Sequence, residues 1–395
     1  MHTLVDRGPP GPLSSVYIHI PFCRDRCTYC AFATIADDTA LHQRVVRALI
    51  SELQRHEFSG TWKTIYLGGG TPGLLSAAHL DHLLDGIRAS ASPRTPEELT
   101  LEANPANITR EALTSWAAMG VTRLSLGVQT FDDRALRSLA RLHSAETARR
   151  ALELIAEFWP GTWSADLLLG WEGQSQAQLA SDLTELARFE PPHISAYPLE
   201  LEQGSLLFSR LQNTFKITSK HTETHISDTL FRKHLEPAGL VRYEVSNFAN
   251  SGHESRHNQA YWANSEYLGL GPGACSSRAG LRWGNLRDTQ AWLAAVESGR
   301  SARARAERIS PPQRLLESLA IGLRTAEGLS RAELERRFGA AWLPVLECAA
   351  EAPLDELGLQ LTETRLIAPG EHRLRIDAIL SHIARNWPDH EVEPA

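Results

Sequence analysis

YIHIPFCRDRCTYCAF, residues 17–32, sets three cysteines within eight positions directly after a strand-like run. The spacing is Cys23-x3-Cys27-x2-Cys30, in a chain of 395 residues that holds five cysteines altogether. Disulfides, zinc and an iron–sulfur cluster all use close cysteines. The first segment, MHTLVDRGPPGPLSS, has no apolar secretory core and reads as a flexible arm over residues 1–15. Reduced thiols and a cytoplasmic setting follow, which disfavours a disulfide framework. A structural zinc site wants four ligands, usually as two separated pairs. Cys275 and Cys348 stand alone, and His19 lies inside the strand, where it is expected to point away from the loop. Three thiolates suit a [4Fe–4S] cluster with one iron left free of protein ligands. On spacing alone, chance proximity or a structural metal remain the alternatives.

Outward from this stretch, short β-rich runs alternate with amphipathic segments. The strand candidates are 16–20, 64–68, 99–103, 122–128, 164–170 and 193–199. Between them, Leu41, Val45, Ala48, Leu49 and Leu53 recur at helical spacing, as do Leu80, Leu83, Leu84 and Ile87, then Leu179, Leu183 and Leu186. Six strand–helix alternations predict parallel strands with right-handed crossovers, in a doubly wound sheet or a TIM-like barrel. A further helical segment is expected near 218–236. After residue 311 the texture turns helix-rich, beyond the basic connection 297–312.

With 42% hydrophobic and 22% charged residues the chain can bury a sizeable core. A net charge of −7 gives no electrostatic reason to expect nucleic acid as a partner. No apolar run approaches the ~20 residues of a transmembrane helix.

The cysteine stretch resembles the cluster signature of radical S-adenosylmethionine (SAM) enzymes. More narrowly, it is similar to the oxygen-independent coproporphyrinogen III oxidase-like family, closest to the HemW-type haem chaperones. The resemblance implies an α/β fold: a partial TIM-like (β/α)6 radical SAM barrel with a small helical, winged-helix-like C-terminal domain. It places the barrel core at 16–210, an extension at 211–300 and the C-terminal domain at 311–390. It also implies that Cys23, Cys27 and Cys30 hold the [4Fe–4S] cluster, whose open iron is chelated by SAM. Barrel sites sit at the C-terminal ends of the strands, where the cysteine loop falls.

The other strand ends extend the resemblance. LGGGTP, ending in Gly69, Gly70 and Thr71, allows the backbone to approach a cofactor closely. By resemblance, Glu102, Gln129, Arg141 and Asp166 match polar positions that hold the amino, ribose and carboxylate groups of SAM, and Tyr17 lies in the signature itself. A zwitterion with a ribose needs such an acid, base and amide set. Two departures stand out. The family's GLPGQ-like turn is GWEGQ here (170–174), and its GxGxGAHS stretch is GLGPGACS (269–276), with Cys275 at the histidine's place. Cys275 is read as a small buried thiol and GLGPG as a loop.

HNQAYW (257–262) matches an HNxxYW segment of the HemW-like group. His257, Tyr261 and Trp262 are therefore expected at a haem or substrate site, since histidine ligates haem iron and aromatics stack on macrocycles. Coproporphyrinogen oxidases of this branch carry a longer N-terminal segment and a further cysteine where this chain has Phe32. Both differences favour a haem-binding and transfer protein with SAM, haem and an unknown haem acceptor protein as partners. A radical SAM C-methyltransferase or cyclopropane-forming enzyme is the alternative, and coproporphyrinogen oxidation is the less favoured third.

Overall fold

The computed structural model describes residues 13–56, 60–91, 95–211, 229–350 and 354–386. Most of the N-terminal arm, residues 218–228 of the expected 218–236 helix and residues 387–390 of the tail lie outside them.

All six expected strands form: β1 (Ser15–Ile20), β2 (Thr64–Gly69), β3 (Glu98–Ala103), β4 (Arg123–Gln129), β5 (Thr162–Leu169) and β6 (His193–Pro198). They pair in chain order and all in parallel. Five crossover helices cover them: α1 (Thr39–Gln54), α2 (Ala77–Ala89), α3 (Arg110–Ala118), α4 (Ala145–Phe158) and α5 (Gln176–Ala187). Each opens on a side-chain cap, from Asp38, Ser76, Thr109, Ser144 and Ser175, which satisfies a backbone N–H that the first turn leaves unpaired.

The period-2 alternation of the strands separates two environments. On β1, Val16, Ile18 and Ile20 are fully buried against the helices, while Tyr17 and His19 face a cavity inside the sheet's curve. The same face continues with Tyr66, Glu102, Ser125, Gln129, Asp166 and Tyr197. The apolar stripes predicted on α1, α2 and α5 are buried, apart from Leu41, which is partly covered.

The sheet extends beyond six strands. β7 (Val241–Arg242), at the sheet edge, pairs antiparallel with β8 (Asn247–Ala249), which adds antiparallel to β6. On the other edge, β9 (Tyr267–Leu270) pairs in parallel with β1 as a seventh parallel strand. An antiparallel meander follows, of β10 (Cys275–Arg278), β11 (Leu281–Asn285) and β12 (Arg303–Arg308), completing a 12-stranded sheet. The GLGPGACS stretch, expected as a loop, thus runs from strand β9 through a turn into β10. Gly271 takes φ +96° in that turn, and a Cβ there would meet the His19 carbonyl at 2.5 Å, so only glycine fits.

α6 (Arg256–Trp262) precedes β9, and α7 (Thr289–Glu297) joins β11 to β12. Downstream, α8 (Pro311–Gly322), α9 (Arg331–Phe338), α10 (Trp342–Ala350) and α11 (Ile376–Asn386) pack with a three-stranded antiparallel sheet of Leu329–Ser330, Gln360–Leu361 and Arg365–Ile367. Their core, with Leu315, Leu319, Phe338, Trp342 and Leu366, is separate from that of the barrel.

Candidate functional site

The Cys23–Cys30 loop leaves the C-terminal end of β1. Phe22–Cys23 pairs in parallel with Ile35–Ala36, closing the loop at its base. Cys23, Cys27 and Cys30 all line one cavity of about 620 Å³, within the usual range for small-molecule and cofactor sites. Glu102, Arg141 and Asp166 line it as well, joined by Gly69, Gly70, Thr71 and Gln129. Strands β2 to β5 therefore deliver their exit residues to one place, together with the loop after the short helix Asp133–Ser138.

His19 does not point away from the loop. Its Nε2 meets the Ala33 carbonyl at 2.9 Å and its Nδ1 the Tyr17 hydroxyl at 3.1 Å. Both ring nitrogens are thereby engaged, and burial lowers its pKa to about 4, so the ring is neutral. It braces the end of the cysteine loop.

The residues fit an iron–sulfur cluster and SAM. Burial pushes the Cys23 thiol up to about 12 and raises Cys30 as well, so without a cation neither becomes a thiolate. A metal centre reverses that preference. The three thiols do not close into a single-ion site among the described residues, whereas a cluster takes each thiolate on a different iron. For SAM, the cavity offers groups that lack counterparts. Arg141 Nε is buried with no hydrogen-bond partner. The Glu102 carboxylate is bonded by the Tyr66 hydroxyl at 2.8 Å and the Gly69 N–H at 3.1 Å. Asp166 accepts from Ser125 at 2.7 Å and Ser164 at 3.1 Å. These partners are hydroxyls and an amide, not cations. Burial therefore dominates, raising Glu102 to about 7 and Asp166 above the ordinary carboxylate range. Arg123 acts on Asp166 through space, and a directly bonded cation is what the pair of acids lacks.

Gly69 shows why the GGG turn is needed. Its φ is +107°, and a Cβ would lie 2.5 Å from the His19 ring. Gln129, at φ +69°, adopts a left-handed conformation without being glycine, where the β4–β5 register shifts. Strain of this kind persists where the surrounding structure over-determines it, and it clusters at ligand sites.

Sequence reasoning missed Tyr66, Ser125 and Ser164, which hold the two acids. Their partners depend on register between strands: Glu102 lies opposite Ser125, and Ser125 opposite Ser164. Of the residues grouped with SAM, Tyr17 does not join the others. It lines a second cavity of about 480 Å³, on the other side of Tyr66 and Phe32, which border both. That second cavity carries His257, Tyr261, Tyr267 and Cys275. The HNQAYW segment forms α6 (Arg256–Trp262), whose first N–H groups are capped by Glu98 at 2.9 Å each. His257 is buried, with Nδ1 at 2.8 Å from the Thr64 hydroxyl and Nε2 at 3.0 Å from the Tyr261 hydroxyl. Thr64 begins β2, so this ring sits towards the N-terminal ends of the strands, away from the cysteines. Cys275 is only partly buried, at the cavity wall. In the GWEGQ turn, Trp171 is buried against Ala135, Leu139 and Leu168, with Tyr29 beside them. This departure builds an apolar wall, with Glu172 exposed.

The chain is similar to known proteins over most of its length. Residues 17–186 match the radical SAM superfamily and residues 309–370 the HemN C-terminal domain. Heme chaperone HemW of Lactococcus lactis is 31% identical over 92% of this chain and 93% of its own length. The chain belongs to the HemW family of radical SAM proteins. HemW of Synechocystis is 35% identical over 81% of this chain and 80% of its own. The mitochondrial radical S-adenosyl methionine domain-containing protein 1 of Bos taurus is 34% identical over 82% and 77%. Among solved structures, coproporphyrinogen III oxidase (HemN) of Escherichia coli superposes with a TM-score of 0.78 at 21% identity, covering 95% of this chain and 91% of that one, which establishes the shared fold. HemW-family membership in the radical SAM superfamily implies a [4Fe–4S] cluster and SAM. When bound, the cluster supplies electrons to SAM, chemistry that belongs to the cofactors. The chain's residues bind, orient and shield. Cys23, Cys27 and Cys30 would hold the cluster, Glu102 and Asp166 the cationic parts of SAM, and Arg141 its carboxylate. No helix among the described residues is long and apolar enough to cross a membrane.

Proposed function

We propose that this chain is a haem-binding radical SAM protein that carries haem to an acceptor protein in the cytoplasm, a reducing setting that keeps its cysteines available to the cluster. The observation that carries this reading is the second cavity. It adjoins the cluster cavity, has aromatic walls in Tyr17, Tyr66, Tyr261 and Tyr267, and has the volume of a site for a flat ligand. Relatives bearing the name heme chaperone match the chain over most of its length, which supports the same reading.

Within that reading, the HNQAYW segment contributes walls. Both ring nitrogens of His257 already face hydroxyls, so haem rests on tyrosine faces, and His257 holds Tyr261 in place. Trp262, on the same helix and half-buried, closes α6.

The test is an anaerobic reconstitution with iron and sulfide, followed by SAM, haemin and reductant. Haem absorbance that co-elutes with the protein, with little 5′-deoxyadenosine, is the expected result. S-adenosylhomocysteine without haem binding would replace this function with methyl transfer.

A further inference from the structure

The cysteine loop is electrically asymmetric. Arg141 Nη1 donates to the Cys27 sulfur at 3.4 Å. Its Nη2 donates to Asn104 Oδ1 and, at 2.9 Å, to the Gly127 carbonyl. Asn104 in turn donates from Nδ2 to the Thr71 hydroxyl at 3.0 Å, and that hydroxyl lies 4.0 Å from the Cys23 sulfur. A polar chain therefore runs Cys27–Arg141–Asn104–Thr71–Cys23 across three strand exits. Neither Cys23 nor Cys30 has a cationic side chain bonded to its sulfur among the described residues. Among the described residues the Arg26 guanidinium bonds the Cys30 and Gly204 carbonyls and acts on the Cys30 sulfur through space, without a hydrogen bond to it.

The backbone fixes this placement. Ala140 takes φ +55°, a conformation that L residues avoid. The Arg141 N–H donates to the Leu136 carbonyl at 2.8 Å, closing the turn after Asp133–Ser138. No carboxylate pairs with the guanidinium among the described residues; it donates to a thiol, an amide oxygen and a backbone carbonyl, and the Tyr29 hydroxyl also lies against it. An uncompensated positive charge in a low-dielectric site acts over several ångströms. Hydrogen bonds to the sulfurs and the net local charge are two of the main levers on the potential of an iron–sulfur cluster.

We propose that Arg141 is a positioning residue for the cluster itself: through Cys27 it raises the reduction potential, before and independently of any contact with SAM. One-electron reduction adds a negative charge to the cluster, and the guanidinium stabilises that form more than the oxidised one. This rests on the cysteine assignment of the proposed function, not on haem.

The test uses full-length protein with its cluster reconstituted, without SAM, titrated with dithionite as the one-electron donor and followed by electron paramagnetic resonance. Arg141→Gln, which removes the charge, is expected to lower the midpoint potential at unchanged iron content. Arg141→Lys is expected to stay close to wild type. A Gln variant with the wild-type midpoint overturns the proposal and leaves Arg141 as a SAM ligand alone. Should the Gln variant load no cluster while the Lys variant loads fully, Arg141 acts on cluster assembly rather than on the potential, which overturns the proposal. Loss of the cluster in both assigns Arg141 a packing role and overturns it. Haem affinity measured on the same preparations separates this from the proposed function: wild type that binds no haem ends the chaperone reading while leaving the midpoint comparison intact.

Discussion

The Tyr66 hydroxyl donates to Glu102 Oε1 at 2.8 Å from the neighbouring strand, and the Gly69 N–H meets Oε2 at 3.1 Å. Both carboxylate oxygens are thus oriented towards the cluster cavity before any ligand arrives. The desolvation of the acid nonetheless outweighs these two bonds, leaving Glu102 at about 7.

Ligand binding at Glu102 should therefore release a proton. A cation seated beside the acid favours its ionised form and draws its pKa down. SAM affinity should rise with pH through about 7 and flatten above it. Stability of the ligand-free protein should run the other way: this carboxyl contributes most below the ordinary carboxylate range, and the contribution is lost as pH rises through about 7. Calorimetry near pH 6.5 in two buffers of different ionisation heat reads the proton directly. Glu102→Gln should abolish the release, and wild type that releases none would show that SAM does not seat against Glu102.

The cysteine assignment makes a sharper prediction. Cys23→Ala, Cys27→Ala and Cys30→Ala should each lose the visible cluster absorbance and most of the roughly four irons per chain. Cys275→Ala and Cys348→Ala should keep both, because Cys275 lines the second cavity and Cys348 is exposed in the C-terminal helices. Iron loss on changing Cys275 would sink the three-ligand assignment.

Much of this was legible in the sequence, and the gaps have physical causes. The six parallel strands were readable because each carries a β-rich run between helices with clean apolar stripes. The seventh, Tyr267–Leu270, has four residues and runs into Gly269–Gly273, so local composition spelled a turn; only its pairing with β1 makes it a strand. Glu102, Arg141 and Asp166 stood out as polar residues at strand exits. The groups that hold them did not, because Tyr66 lies 36 residues from Glu102, and Cys27 lies 114 from Arg141. His19 was misplaced for a related reason: period-2 alternation gives its face, while its contact with Ala33 depends on how the loop folds back.

Gln129 sets stability against binding. At φ +69° its side chain stands on a strained backbone, a cost on the order of 1–2 kcal/mol that glycine escapes. Gln129→Gly should raise the unfolding midpoint while weakening SAM binding several-fold. A stabilised variant with unchanged SAM affinity would remove Gln129 from the pocket.

His257 and Tyr267 divide the haem question. Burial holds the His257 ring neutral, at about 3, between two hydroxyls. Removing the ring strands the Thr64 and Tyr261 hydroxyls in the interior, at a cost of about 1–3 kcal/mol. His257→Ala should therefore unfold at lower temperature, yet keep the wild-type Soret band and haem affinity per folded molecule. Tyr267 stands edge-on to Tyr261 with ring centres 4.6 Å apart, half-buried on the wall of the same cavity. Tyr267→Ala removes a stacking face and its edge contact with Tyr261 while leaving both hydrogen bonds of His257, so it should speed haem loss and cost less stability than His257→Ala. Both quantities are measured on one preparation of each variant. The reverse pattern, a shifted Soret band in His257→Ala and unaltered haem loss in Tyr267→Ala, would mean that the histidine leaves its hydroxyl partners to ligate iron, and that the aromatic wall is not where the macrocycle rests.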